Sequence, residues 1–234
     1  MIEGKYAVDI GEQNLVLSML NSLCPGDSEH PCDHINSIYY DTVGLDMLDQ
    51  KISSDYQKSK VRLRWYGRPS IGEQKVPAYM EIKRKDGTQR SKSRQRLELR
   101  GDILQPGKES FADVAAYVAS AAEMGATPLG PLVPLIVVRY LRHRFQEPLT
   151  GSRISLDTGI MFSRVNGQYV PECAPRALNV GVLEIKSTTG DIPSVLKPLK
   201  SRVHTRDSFS KYEECWGLYC STSYRRELTS SRYD

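Results

Sequence analysis

The run Gly181-Val182-Leu183-Glu184-Ile185-Lys186 alternates apolar and charged residues with a period of two. In a β-strand this period places Glu184 and Lys186 on one face and Leu183 and Ile185 on the other. The same pattern occurs earlier in the chain, in the run Tyr79-Met80-Glu81-Ile82-Lys83. The two runs therefore predict strands that have one charged face and one apolar face.

Four further runs alternate basic and apolar residues in the same way, at 61–66, 94–100, 140–145 and 153–158. With strands near 3–8 and 35–42, they predict about eight strands. Apolar residues at helical spacing predict helices within 16–23, 45–52, 111–124, 192–199 and 212–219. Pro198 lies inside the fourth of these helices and strains it. Strands that carry cations on one face are thus combined with amphipathic helices.

The composition limits the class of protein. A length of 234 residues suits one domain, which we predict over 1–234 with a polar tail at roughly 221–234. The net charge of +4 does not indicate nucleic acid, so the cations matter only where they are concentrated. Five cysteines without a Cys-x-x-Cys pair argue against a disulfide framework or zinc knuckle. The chain has no signal core and no long apolar run, which predicts a cytoplasmic protein without a membrane segment.

The charged strand faces need water, because an unpaired buried charge costs several kcal/mol. Two arrangements provide it. One is a flat sheet with helices on one side. The other is a closed antiparallel β-barrel with a hydrated, cation-lined bore and helices packed outside. We prefer the α+β barrel, whose bore would suit a linear polyanion.

The order of several short motifs resembles the VTC domain, the polyphosphate polymerase domain of the vacuolar transporter chaperone. This domain is a branch of the triphosphate tunnel metalloenzymes, or CYTH-like superfamily. The resemblance spans nearly the whole chain, and each motif is weak while the ordered set is specific. The motifs are Lys5, Arg62-Leu63-Arg64-Trp65-Tyr66, Glu81-x-Lys83, Tyr140-x-Arg142, Arg153-Ile154-Ser155-Leu156-Asp157-Thr158, Leu183-Glu184-Ile185-Lys186 and Phe209-Ser210-Lys211-Tyr212.

The resemblance implies a tunnel barrel that binds ATP, triphosphate or inorganic polyphosphate and requires Mn²⁺ or Mg²⁺. It implies transfer of the terminal phosphoryl group of ATP to a growing chain. Tyr140 and Ser210 are then neutral phosphate contacts, and Glu184 is the metal ligand. The superfamily begins with Glu-x-Glu-x-Lys, whereas only Glu3-x-Lys5 is present here, which puts an N-terminal metal carboxylate in doubt. The implied phosphate-binding bases are Lys5, Arg62, Arg64, Lys83, Arg142, Arg153 and Lys211. We add Lys186 to this set. One further base is expected in the basic segment at 92–96, where we favour Arg94 over Lys92 and Arg96.

Phosphoryl transfer requires neutralised oxygens, aligned reactants and a metal. Arginine offers a forked donor for phosphate oxygens, and lysine a point charge. A hard cation prefers carboxylate oxygens, which fits Glu184. Glu81 and Glu98 are evenly balanced between metal ligand and counter-charge.

Three functions agree with these residues: an ATP-dependent polyphosphate polymerase, which we favour, a tunnel triphosphatase or polyphosphatase, and a non-catalytic polyphosphate-binding module. RNA binding is disfavoured because the charged faces lack regularly spaced aromatic residues. No protein partner is predicted.

Overall fold

The computed structural model describes residues 2–230, apart from 54–55, 71, 73–74, 105–108, 110, 127, 129, 171–173, 189–190 and 206–208. The side chains at 111, 205 and 221–230 also lie outside the description. Cys173 and the last four residues of the predicted polar tail therefore fall outside the described residues.

All eight predicted strands are present, and the structure adds two strands of two residues each. The described strands are β1 Ile2–Asp9, β2 Cys32–Thr42, β3 Gln57–Tyr66, β4 Val76–Asp86, β5 Gln89–Leu99, β6 Leu132–Gln146, β7 Arg153–Arg164, β8 Arg176–Ala177, β9 Val180–Ser187 and β10 His204–Thr205. The two short strands, β8 and β10, are too short to show a period of two, so the alternation could not reveal them.

Five α-helices lie in the described part of the chain, and the last is the longest of them. They are α1 Gln13–Leu23, α2 Asp46–Ile52, α3 Phe111–Ala115, α4 Val118–Glu123 and α5 Lys211–Ser230. The segment Ser194–Arg202 forms a 3₁₀ helix around Pro198 rather than the predicted α-helix. Proline has no N–H to donate and its ring clashes with the preceding turn, which disfavours α-helical geometry there. Among the described residues, no helix combines the length and the apolar character needed to cross a membrane.

The strands form one antiparallel sheet in the order β10-β1-β9-β7-β6-β2-β3-β4-β5, with β8 paired to β7. In the described part of the chain, β10 and β5 end this order and do not pair with each other. The predicted closed barrel is therefore wrong, and with it the α+β class, because the fold is an open sheet that is mostly β. Alternation requires only that one face be hydrated, and an open sheet meets that requirement as well as a barrel does.

The chain divides into two compact units. Unit 1 comprises Met1–His34, Arg139–Met161 and Ala177–Lys211, and unit 2 comprises Ile35–Val138, Phe162–Arg176 and Tyr212–Asp234. The prediction of a single domain over 1–234 stays a prediction.

In unit 1, the apolar face of the strands is covered by α1 and the 3₁₀ helix. Val16 and Leu20 of α1 pack in one cluster with Leu183 and Ile185 of β9. Leu196 of the 3₁₀ helix belongs to the same cluster. All five side chains are fully buried, and burying each stabilises the fold by about 1.5–3 kcal/mol. This packing fixes which face of β9 carries Glu184 and Lys186.

In unit 2, the core lies between β3–β5 and the helices α2–α4. Trp65 and Met80 pack with Met47 of α2, Val114 of α3 and Ala121 of α4. The odd-numbered residues of β3 and the even-numbered residues of β4 therefore face the helices. The opposite face of β3, β4 and β5 carries most of their charged side chains, whereas Arg84 and Asp86 share the helix-facing side of β4.

The β4–β5 hairpin is closed by a turn at Asp86-Gly87. Asp86 pairs with Gln89 across the hairpin, and Gly87 has a φ of +58°. Glycine occupies this left-handed region without the steric cost that other residues meet. A Cβ atom at Gly87 would also collide with the ring of Tyr56. The turn therefore fixes the register of two long charged strands.

Candidate functional site

In unit 1, the buried carboxylate of Asp157 on β7 organises two cations. Arg142 of β6 donates from Nε to Oδ1 at 2.6 Å and from Nη2 to Oδ2 at 2.8 Å. Lys211, the first residue of α5, donates from Nζ to Oδ2 at 2.5 Å. The Asp157 side chain is completely buried. Its two cations are therefore held in fixed positions by a group that cannot itself reach solvent.

The three groups stabilise one another's charged forms. Burial alone would raise the pKa of Asp157, but Lys211 and Arg142 outweigh it and hold that pKa well below its ordinary value. Burial would lower the pKa of Lys211, and the charge of Asp157 raises it instead. All three groups are consequently ionised at neutral pH.

The ring of Tyr140 lies against both cations. The Lys211 Nζ is 4.5 Å from the ring centroid, and the Arg142 Cζ is 5.5 Å from it. The Phe209 ring is 5.9 Å from the same Lys211 Nζ. These distances suit cation–π attraction, which is stronger where water is excluded. Ser210, which is also buried, lies between Phe209 and Lys211 in the chain.

Two more carboxylates lie on the same unit, on the paired strands β1 and β9. The register places Lys5 opposite Glu184 and Glu3 opposite Lys186. The Lys186 Nζ is 2.9 Å from Glu184 Oε1 and 3.7 Å from Glu3 Oε2. Lys5 Nζ is 3.1 Å from Glu3 Oε1 and donates to the Phe209 carbonyl oxygen at 3.3 Å. Glu3 and Glu184 therefore both contact the same lysine, Lys186.

Glu184 also borders the Asp157 group. Arg142 Nη2 is 3.9 Å from Glu184 Oε2. Burial would raise the pKa of Glu184, but Arg142 and Lys186 outweigh it and lower that pKa. Arg153, which is exposed, lies opposite Lys186 in the register of β7 and β9. In the described part of unit 1, these residues make a continuous polar face with both signs of charge.

The donor atoms of Glu3 and Glu184 fit a hard divalent cation. Carboxylate oxygens are the ligands that Mg²⁺ and Mn²⁺ prefer, usually one or two of them together with water and phosphate oxygens. The side chains of Glu184 and Glu3 are 13% and 30% exposed, so solvent reaches both. No group of three or more His, Cys, Asp or Glu suited to a metal occurs among the described residues. Water and phosphate oxygens would complete the coordination of a cation held by Glu3 and Glu184.

In unit 2, the carboxylate of Glu81 on β4 lies among four cations. Arg62 donates from Nε to Oε2 at 2.8 Å, and its Nη2 is 2.7 Å from the same oxygen. Lys92 Nζ and Arg94 Nε are 3.0 and 3.5 Å from Oε1. Arg64 Nη1 is 3.8 Å from Oε2 and its Nε donates to Ser37 Oγ at 3.0 Å. We call Glu81 and these four cations the Glu81 cluster.

The surroundings of Glu81 favour the role of counter-charge. Its side chain is 1% exposed. Burial would raise the pKa of Glu81, but Arg62, Arg64 and Lys92 outweigh it and lower the pKa to about 2. A divalent cation would compete with four positive groups for one carboxylate, which Coulomb repulsion opposes. The cluster instead keeps an excess of positive charge that can attract an anion.

Lys83 and Glu98 lie on the same face as the Glu81 cluster. Lys83 is exposed and lies opposite Lys92 in the register of β4 and β5. Glu98 is 43% exposed, and its Oε1 is 2.9 Å from Nη2 of the exposed Arg96. An exposed pair of this kind contributes little to stability. These contacts again favour a counter-charge role for Glu98.

Two tyrosines flank Arg94. The Arg94 Cζ is 3.5 Å from the Tyr79 ring centroid, and its Nη2 donates to the Tyr66 hydroxyl at 3.2 Å. The two rings meet edge to face at 6.1 Å. Stacking on Tyr79 and the bond to Tyr66 hold the guanidinium of Arg94 in place.

The structure brings the predicted residues together in two groups. Unit 1 holds Lys5, Tyr140, Arg142, Arg153, Glu184, Lys186, Ser210 and Lys211, and unit 2 holds Arg62, Arg64, Glu81, Lys83, Arg94 and Glu98.

Sequence reasoning missed the roles of Asp157, Tyr66 and Tyr79, and it left Glu3 in doubt. Strand alternation could have placed all four side chains on the charged strand faces, but it does not determine their contacts. Asp157 and Glu3 share faces with Glu184 across the paired strands β7, β9 and β1, and Tyr79 shares a face with Glu81.

Comparisons with known proteins agree with the ordered motifs. A family model described as the VTC domain matches residues 2–219. No curated protein matches the chain.

The solved structures that resemble it include two that are each described as a "putative adenylate cyclase". The one from Bacillus halodurans is 14% identical with a TM-score of 0.48, covering 86% of this chain and 88% of its own. The one from Vibrio parahaemolyticus is 11% identical with a TM-score of 0.39, covering 86% and 84%. These likenesses are too low for a functional conclusion.

Proposed function

Because this chain belongs to the VTC domain family, we propose that it is a metal-dependent polyphosphate polymerase. In this reaction the bond between the γ-phosphorus of ATP and its bridging oxygen breaks, and ADP leaves. A new bond forms between that phosphorus and an oxygen of the terminal phosphate of a polyphosphate chain. The chain grows by one phosphate at each turnover.

One observation in unit 1 carries the proposal. Arg142 and Lys211 are fixed by the buried Asp157, and Arg142 also borders the carboxylate of Glu184. Cations held in place before the substrate arrives require no reorganisation when charge develops on phosphate oxygens, which is the main electrostatic contribution to phosphoryl transfer. Fixed cations next to a hydrated carboxylate are what a metal-assisted transfer needs.

The charged residues of the site in unit 1 then have separate roles. Arg142 provides a forked donor for phosphate oxygens, and Lys211 provides a point charge. Lys5, Lys186 and Arg153 supply further positive charge along the same face. Glu184, together with Glu3, would hold Mg²⁺ or Mn²⁺. Such a cation, when bound, would neutralise phosphate oxygens while negative charge develops on the leaving ADP.

In unit 2, the Glu81 cluster would bind phosphate oxygens of the polyanion. Arg62, Arg64 and Arg94 present planar donors that can each contact two oxygens. Tyr66 and Tyr79 fix the position of Arg94, which lowers the entropy lost on binding. We assign no general base, because the terminal phosphate of the acceptor is already an ionised nucleophile.

The test is incubation of the purified protein with ATP and either Mn²⁺ or Mg²⁺, followed by gel analysis of the products. We expect polyphosphate chains that lengthen with time, together with ADP. Phosphate or pyrophosphate without chains would identify a hydrolase instead. Tight binding of polyphosphate without turnover under either metal would identify a binding module. Reactions without a divalent metal and without ATP serve as the negative controls.

A further inference from the structure

Lys186 contacts both carboxylates that the proposed function assigns to the divalent cation. Its Nζ is 2.9 Å from Glu184 Oε1 and 3.7 Å from Glu3 Oε2. In the register of β1 and β9, Glu3 lies opposite Lys186. Lys5 and Glu184 form the neighbouring pair on the same strand face. One ammonium group therefore lies within reach of both carboxylates.

An ammonium group and a hard divalent cation bind the same kind of oxygen atom. A lysine ammonium group is a donor only, and carboxylate oxygens accept its hydrogen bonds. Carboxylate oxygens are also the protein ligands that Mg²⁺ and Mn²⁺ prefer. Two positive groups at such short range repel each other. Lys186 and a divalent cation therefore compete for Glu184 Oε1 and Glu3 Oε2.

The second oxygen of each carboxylate already faces another cation. Glu184 Oε2 is 3.9 Å from Arg142 Nη2, and Glu3 Oε1 is 3.1 Å from Lys5 Nζ. Both of these cations have further anchors, since Arg142 is held by the buried Asp157 and Lys5 donates to a backbone carbonyl oxygen. The oxygens that Lys186 contacts are consequently the ones that a divalent cation would use.

Lys186 is also the partner that can move away. Its side chain is 38% exposed, whereas that of Glu184 is 13% exposed. Lysine carries its charge on a flexible four-carbon stem, so the ammonium group can reach water or a bound anion without any movement of the strand. Both ion pairs that the structure describes for Lys186 are with Glu3 and Glu184. Its departure therefore costs the fold little.

We propose that Lys186 is an internal competitor of the divalent cation. Its ammonium group occupies Glu3 and Glu184 in the absence of the cation, leaves them when the cation binds, and then contacts a phosphate oxygen of the substrate. This inference rests on the proposed function, which supplies both the cation site and the phosphate. Cation binding thereby recruits Lys186 to the substrate, and the affinity for each of the two ligands depends on the other.

The charges of the four side chains agree with this coupling. With Lys186 in place, the two glutamates face two lysines, and the four charges cancel. A divalent cation on the glutamates adds positive charge to this part of the face and leaves the charge of Lys186 available to an anion. The pull on a phosphate is therefore stronger after the cation has bound.

The experiment measures the binding of Mn²⁺ alone, without ATP or phosphate, from the electron paramagnetic resonance signal of free Mn²⁺. Lys186→Met removes the charge and keeps the apolar stem. Lys200→Met, at an exposed lysine of the 3₁₀ helix in the same unit, is the matched control. Glu184→Gln identifies the Mn²⁺ that binds at this site. Thermal unfolding confirms that each variant folds.

We expect Lys186→Met to bind Mn²⁺ about tenfold more tightly than the wild type, because an internal competitor lowers the apparent affinity by the fraction of molecules in which it occupies the site. Lys200→Met should behave as the wild type, and Glu184→Gln should lose this binding. Unchanged or weaker binding by Lys186→Met, equal tightening in Lys200→Met, or wild-type binding by Glu184→Gln would overturn the proposal. Failure of all four proteins to bind Mn²⁺ would overturn it too.

A second measurement separates displacement of Lys186 from simple repulsion of the cation. Tripolyphosphate binding is measured by calorimetry with and without excess Mn²⁺. If the displaced ammonium group contacts a phosphate, Lys186→Met should bind tripolyphosphate about tenfold more weakly with Mn²⁺, and its loss of affinity without Mn²⁺ should be smaller. An equal or smaller loss with Mn²⁺ would show that Lys186 stays on the glutamates, which overturns the proposed displacement.

The Mn²⁺ measurement requires no turnover, which separates this inference from the proposed function. Tighter Mn²⁺ binding by Lys186→Met in a protein that makes no polyphosphate would remove the polymerase and leave the competition in place. Polyphosphate synthesis by the wild type, with unchanged Mn²⁺ affinity in Lys186→Met, would have the reverse meaning.

Discussion

Asp157 and Arg142 form a bidentate ion pair, with Nε to Oδ1 at 2.6 Å and Nη2 to Oδ2 at 2.8 Å. The carboxylate is fully buried and also accepts a hydrogen bond from Lys211. Asp157 therefore stabilises the fold as well as positioning two cations of the site. Removing its carboxylate would leave two positive groups without their counter-charge.

We expect Asp157→Asn to lower the free energy of unfolding by about 3–5 kcal/mol, since one partner of a buried ion pair is lost. Urea unfolding at neutral pH measures this. The matched control is Asp9→Asn, whose carboxylate makes an exposed pair with His204 and contributes at most about 1 kcal/mol. Equal stability of the two variants would contradict the role given to Asp157.

The pH dependence of stability follows from the same pair. The pKa of Asp157 is depressed in the folded protein. The contribution of the ionised Asp157 to the free energy of unfolding is therefore fully present above the ordinary carboxyl pKa near 3.8. It is lost as the pH falls through the lower, folded pKa. The wild type should therefore lose more stability than Asp157→Asn below about pH 4. If the free energies of unfolding of the two proteins changed equally with pH, the titration of Asp157 would not be the cause of the loss.

Glu184→Gln should lower polymerase turnover on the order of 100-fold, a typical effect of removing an electrostatic stabiliser. Polyphosphate binding without metal should persist, because the cations of both units remain. Glu98→Gln is the control, since its carboxylate is exposed beside Arg96, and its turnover should change little. Steady-state ADP release measures both. Full activity of Glu184→Gln would remove this residue from the metal site.

Glu81→Gln tests whether this carboxylate is a counter-charge or a metal ligand. As a counter-charge, its loss increases the positive charge of the Glu81 cluster, so tripolyphosphate should bind several-fold more tightly and with a steeper salt dependence. Stability should fall, because four cations lose their shared partner. Loss of metal-dependent turnover with unchanged binding would instead indicate a metal ligand.

Arg62→Ala should weaken tripolyphosphate binding by about tenfold, and Arg62→Lys should recover only part of it. The fork of Arg62 contacts Glu81 through both Nε and Nη2, and a lysine cannot reproduce this geometry. Arg96→Ala removes an exposed arginine from the same face and serves as the control. Calorimetry with tripolyphosphate measures the affinity of the three variants. Equal losses of affinity in Arg62→Ala and Arg96→Ala would exclude a specific role for Arg62.

Tyr212→Phe should lower the free energy of unfolding by about 1.5–3 kcal/mol, the range for a hydrogen bond to a charged group. The Tyr212 hydroxyl donates to the buried Asp41 at 3.0 Å, while its ring stacks on Tyr39 at 5.1 Å. The substitution keeps the stacking and removes only the hydrogen bond. Tyr56→Phe, at a 73% exposed ring, should change stability by less than about 0.5 kcal/mol.

The strands could be predicted because alternation is a local property. Glu184 and Lys186 identify their strand within six residues of sequence, and Pro198 marks the disturbed helix in the same local way. Closure of the sheet is different, because it depends on whether β10 and β5 pair, although they lie more than 100 residues apart in the chain. The alternating pattern is the same in an open sheet and in a barrel, so it could not decide between them.

The site could be predicted in part for a similar reason. Strand faces and the resemblance to the VTC domain placed Arg142, Lys211 and Glu184 among the candidates. The partner that fixes two of them, Asp157, lies 15 residues from Arg142 and 54 from Lys211 in the chain. Such a contact depends on tertiary packing, which no local pattern encodes. The position of Glu81 among four cations likewise depends on the register of three strands.

The open sheet leaves β5 as an outer strand, whose free backbone edge in the described structure could template pairing with another copy of the chain. Arg90, Lys92, Arg94 and Arg96 alternate along this strand. In an edge-to-edge dimer these charges would meet the same charges of the second copy, and their repulsion disfavours aggregation at that edge. We therefore expect the alternating cations of β5 to limit self-association through this edge in concentrated solution.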